Sequence, residues 1–129
     1  MLHNLYPHLL GFHGLFRWLV FAAALAAIFI ALSGWSGLKP AGPVLFRLGL
    51  IFVIAMDLEL ISGVFLYFGA SATLRTALIP HGVLMFLAVL CAHVGGVLTR
   101  KGATDAMKHR GAAVAWAISL LLMLAGIPR

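Results

Sequence analysis

Apolar residues fill four long runs along the chain, and short polar or turn-forming segments separate them. The first run covers 9–34, with an uninterrupted core from Leu19 to Leu32; the others cover 44–68, 78–98 and 106–127. At about 20 residues per crossing, each run is long enough to pass through a bilayer as one helix. Gly37, Lys39, Pro40, Gly42 and Pro43 make the segment after the first run a turn. The segment 70–76, with Arg75, reads as a polar linker, and 99–110 as a basic one. Pro7 suits a first helical turn, and Trp18 and Trp35 mark the two ends of the first span as interfacial aromatics.

Short connections force neighbouring helices to run antiparallel. The expected architecture is therefore all-α: one domain, 1–129, forming an integral membrane four-helix bundle with up-down-up-down topology.

Composition strengthens this reading. The chain is 64% hydrophobic and 9% charged, and a soluble domain of this size needs far more polar cover. The bilayer is the expected solvent and membrane lipid the first partner. The net charge of +6 does not point to nucleic acid, because the basic residues sit in short loops where they report orientation. Lys39, Arg47, Arg100, Lys101, Lys108 and Arg110 share one side, whereas Arg17, Arg75 and Arg129 fall on the other. That bias places both termini outside the cytoplasm of a bacterial inner membrane. Cys91 has no partner for a disulfide. The N-terminus lacks the basic region and cleavage site of a signal peptide, so the first helix reads as retained.

Four of the six histidines fall at or just inside helix ends: His13, His81, His93 and His109. Such histidines often serve as interfacial anchors, but neutral imidazole is also the commonest protein metal ligand. The topology sets His13 and His81 at similar depth. His93 lies twelve residues beyond His81, roughly 18 Å along the helix, near the depth expected for His109. Two bis-histidine pairs follow, one near each face: His13 with His81, and His93 with His109. Gly14, Gly82, Gly95, Gly96 and Gly111 stand beside them and could admit a porphyrin.

Asp57 and Glu59 lie inside the second apolar run, where a carboxylate costs a few kcal/mol on insertion scales unless paired or protonated. Two residues apart, they project about 200° from each other. Arg17, one turn after His13, is the expected partner of Glu59 or of a haem propionate. Asp57 has no evident partner and could face a second subunit or a water-filled pocket. Either carboxylate could contact a proton path or a quinone.

The chain resembles small bacterial four-helix membrane proteins described as cytochrome-b-like. The similarity runs through His13-Gly-Leu-Phe-Arg17-Trp18, Glu59-Leu-Ile-Ser-Gly63, Leu66-Tyr67-Phe68, His81, Ala92-His93-Val94-Gly95, Lys108-His109-Arg110 and Ile127-Pro128. Those proteins tend to carry glutamine where Glu59 stands and an acidic residue in place of Pro80. Placement of the histidines and the topology are what the resemblance implies.

The expected function is that of a b-type dihaem electron-transfer protein, with His13 and His81 holding one haem b and His93 and His109 the other. Filled axial positions favour electron transfer over oxygen chemistry, so an electron carrier or complex subunit is expected rather than a stand-alone enzyme. Its partners would be quinone, other membrane subunits or a second copy in a homo-oligomer. The alternatives are an accessory subunit of a respiratory or photosynthetic complex, with bacteriochlorophyll or no cofactor, and a small proton-coupled transporter using Asp57 and Glu59.

Overall fold

The computed structural model describes residues 2–128. It contains four helices and, among the described residues, no strand: α1 Leu2–Ser33, α2 Pro43–Gly69, α3 Ala72–Lys101 and α4 Asp105–Ala125. Consecutive helices pack antiparallel, and α4 closes the bundle against α1. One end therefore gathers the start of α1, the α2–α3 turn and the end of α4. The other end holds the α1–α2 and α3–α4 connections and is called the basic end below.

Helices α1 and α3 are long and apolar enough to cross a membrane, with mean hydropathies of 2.3 and 2.1. Both reach further than the apolar runs suggest. Helix α1 starts at Leu2, so Pro7 lies inside it and not in its first turn. There it lacks the amide that would reach the His3 carbonyl one turn back, so the disturbance is confined to the first few residues of the helix. Helix α3 starts at Ala72, so Arg75 is helical rather than part of a linker. The Ser71 hydroxyl accepts from the Leu74 amide at 3.3 Å and caps this earlier start. Thr104 does the same for α4, accepting from the Met107 amide at 3.1 Å.

Small residues line the centre. Val20, Ala24, Ala27 and Ala31 form the buried stripe of α1, and Ala88, Ala92, Ala112 and Ala113 serve α3 and α4. Trp116 and Phe52 are fully buried among them and meet edge to face, with ring centroids 6.3 Å apart. The indole occupies space left open by Gly49 on α2 and Gly95 on α3. Its N–H donates to the Ala92 carbonyl at 3.1 Å, and the Ser119 hydroxyl donates to the Ala88 carbonyl at 2.7 Å. These two bonds, with Leu98 packed over Gly111, fix the register of α3 on α4. At the basic end Gly37 adopts φ +79°, where a side chain would be strained and would also press on Ala106.

Candidate cofactor site

His13 is held by side chains of α2. Its Nδ1 lies 2.8 Å from the Ser62 Oγ and 3.3 Å from the Glu59 Oε1. The Ser62 hydroxyl donates its one hydrogen to the Glu59 carbonyl at 2.9 Å. Toward His13 it can therefore only accept, so Nδ1 carries the hydrogen and Nε2 keeps its lone pair. Helix α2 brings Ser62 and Glu59 to this point because three residues span almost one turn. Gly63 completes the wall: an added Cβ there would sit 3.3 Å from the His13 ring.

His81 arrives in the same electronic state by another route. Its Nδ1 donates to the Gly126 carbonyl, 2.6 Å away at the end of α4. A carbonyl only accepts, so here too the Nε2 lone pair is unclaimed. A Cβ added at Gly14 or Gly82, next to each histidine in the chain, would meet nothing within 4 Å.

The two charged residues nearby carry unused bonding capacity. Arg17 Nε and Glu59 Oε2 are buried with no hydrogen-bond partner. The expected Arg17–Glu59 ion pair does not form. Glu59 turns instead to His13, while the Arg17 guanidinium lies 5.4 Å from the centroid of the neighbouring Trp18 ring.

At the basic end the expected pairing fails. The α3–α4 register sets His109 opposite residues near Thr99, six positions from His93, or roughly 9 Å along the helix. The two side chains also face different ways. His109 is buried against Gly34 of α1 and donates from Nδ1 to the Asp105 carbonyl at 2.9 Å. His93 is about half exposed on the α2–α3 side, with Nε2 2.9 Å from the Asp57 Oδ1. Trp116 fills the slot that Gly95 opens, Leu98 covers Gly111, and neither glycine leaves room for a porphyrin. Asp57, which lacked a partner in the sequence, thus has His93.

Among the described residues no group of three or more His, Cys, Asp and Glu side chains converges as a metal site, and a bis-histidine site needs only two. No family model matches the chain, and neither a curated protein nor a solved structure matches it.

Proposed function

We propose that the protein is a multi-pass membrane electron carrier that binds one haem b at the end opposite the basic loops, with His13 and His81 as axial ligands. One observation carries this reading. Both imidazoles are held by Nδ1–H, to Ser62 and Glu59 in one case and to Gly126 in the other, and both leave Nε2 unclaimed. Ligating histidines in metal sites are usually held in this way, with the second nitrogen donating to a carboxylate or carbonyl. Open space beside Gly14 and Gly82 favours entry of a flat macrocycle, and the unpartnered Arg17 Nε suits a propionate. When bound, haem with both axial positions filled would supply one-electron transfer. The second haem expected from the sequence is not carried forward, because His93 and His109 are out of step and turned apart.

The membrane setting rests on the bundle's surface. Leu15, Phe29 and Phe68 are each about 70% exposed, and large apolar side chains cover the outside of all four helices. Such a surface is suited to lipid and not to water. The excess of basic residues at the basic end supports a cytoplasmic setting for that end, with both termini on the other side.

The deciding measurement is a reduced-minus-oxidised absorbance spectrum of detergent-purified protein, with pyridine haemochrome quantitation. A b-type spectrum at about one haem per chain is expected. A colourless protein from haem-replete cells overturns the reading.

A further inference from the structure

One ionisable pair stands on the outside of the bundle, midway along α2. Asp57 and His93 are hydrogen-bonded at 2.9 Å, with their side chains 41% and 49% exposed. A polar pair at this depth on an apolar face calls for a ligand or partner to cover it. Beside it, a cleft of about 80 Å³ runs toward the basic end between α2 and α3. Phe46, Leu50, Val53 and Val97 make its walls apolar, Gly96 keeps it open, and Arg100 stands at its rim. The Arg100 guanidinium is held 4.5 Å above the Phe46 ring, so a fixed cation marks the rim.

The hydrogen-bond logic here is the reverse of that at His13 and His81. The Asp57 carboxylate accepts from His93 Nε2–H, so in the neutral imidazole the remaining nitrogen, Nδ1, presents a lone pair. A ligand matched to this cleft brings a hydroxyl donor for His93, a flat apolar body for the walls, and an apolar tail that can lie along the outside of the bundle. Phospholipid meets only part of that description. Its phosphate could reach Arg100, but His93 lies seven residues deeper, roughly 10 Å along α3, where acyl chains carry no hydroxyl.

We propose that the α2–α3 cleft binds the hydroxylated aromatic head of an apolar-tailed quinol, with His93 accepting its hydroxyl hydrogen bond and Asp57 acting as a positioning residue that fixes the His93 tautomer. The site lies on a different face and at a different depth from His13 and His81. It depends on the membrane setting for access and not on haem, so it stands or falls separately from the electron-carrier reading.

The test titrates a short-tailed benzoquinol into detergent-purified protein by calorimetry, with the corresponding quinone, phosphatidylglycerol and the variants His93→Leu, Asp57→Asn and Gly96→Leu alongside. The quinol is expected to bind saturably at one site per chain and more tightly than the quinone, which has no hydroxyl to donate. His93→Leu and Gly96→Leu should each weaken it tenfold or more, the first by removing the acceptor and the second by filling the cleft. Asp57→Asn should weaken it by less. A Cβ at Gly96 meets only Val53, at 3.4 Å, so this variant keeps the proposal testable if His93→Leu fails to fold. The proposal is overturned if quinol does not bind saturably, or if both cleft variants bind it as the parent does. It is equally overturned if phosphatidylglycerol displaces it fully, which marks a lipid site, or if His93→Leu instead dissolves a dimer, which marks an interface between copies.

Discussion

Ser62 determines which nitrogen of His13 is free. Its hydroxyl hydrogen goes to the Glu59 carbonyl, 2.9 Å away, so its oxygen accepts from His13 Nδ1 at 2.8 Å. Ser62→Ala removes that acceptor and leaves Nδ1 with Glu59 alone at the longer 3.3 Å. The loss is expected to cost about 1 kcal/mol, the usual net value of such a bond. With the ring less restrained, the haem content of the purified variant should fall, and haemochrome quantitation reads this directly. Ser62→Thr keeps the hydroxyl and should retain most of the pigment.

Trp116 makes the core of the bundle unsuited to substitution at Gly95. An added Cβ there overlaps the indole. Gly95→Ala should therefore destabilise the fold by about 1–3 kcal/mol, the typical cost of overpacking. Trp116→Ala should cost about 3–5 kcal/mol by leaving a cavity. Unfolding midpoints followed by helical circular dichroism in mild detergent check both. Because the two residues touch, the double variant should be less destabilised than the sum of the singles.

The four helices were legible in the sequence because apolar run length and turn residues report them without tertiary context. Their starts were less so. Helix α1 runs back past Pro7 to Leu2, and α3 begins at Ala72 because Ser71 caps it; neither is visible in a hydropathy pattern. The depth of each histidine was counted from helix ends, whereas the true register of α3 on α4 comes from Trp116 and Ser119 meeting the Ala92 and Ala88 carbonyls. By that register His93 and His109 fall out of step, and their side chains lie on different sides of the bundle. The direction of a side chain around its helix was the missing quantity, and it decided that Glu59 meets His13 and that Asp57 meets His93.

The histidines should accordingly divide two and two. His13→Ala and His81→Ala are each expected to abolish the b-type spectrum, since either loss opens an axial position. His93→Ala and His109→Ala should keep about one haem per chain. Reduced-minus-oxidised spectra of the four variants at matched protein concentration read the division. Loss of colour in His109→Ala alone, with its unfolding midpoint unchanged, would return this residue to the ligand set.

Glu59 offers the finest probe of the site, because its effect is electrostatic and need not disturb the fold. Its Oε1 lies 3.3 Å from His13 Nδ1, and its side chain is only 13% exposed. A negative charge at this position favours the more positive, oxidised state of an iron held by His13, since burial weakens the screening that water would provide. Glu59→Gln preserves shape while removing the charge. The midpoint potential is expected to rise by about 60 mV, which for a one-electron couple corresponds to a tenfold change in equilibrium and about 1.4 kcal/mol. Ser62→Ala, which removes a neutral group, should move the potential much less, so the two variants separate charge from positioning. Potentiometric titration of both against the parent provides the comparison. An unchanged potential in Glu59→Gln would mean that no charge at this position acts on the iron.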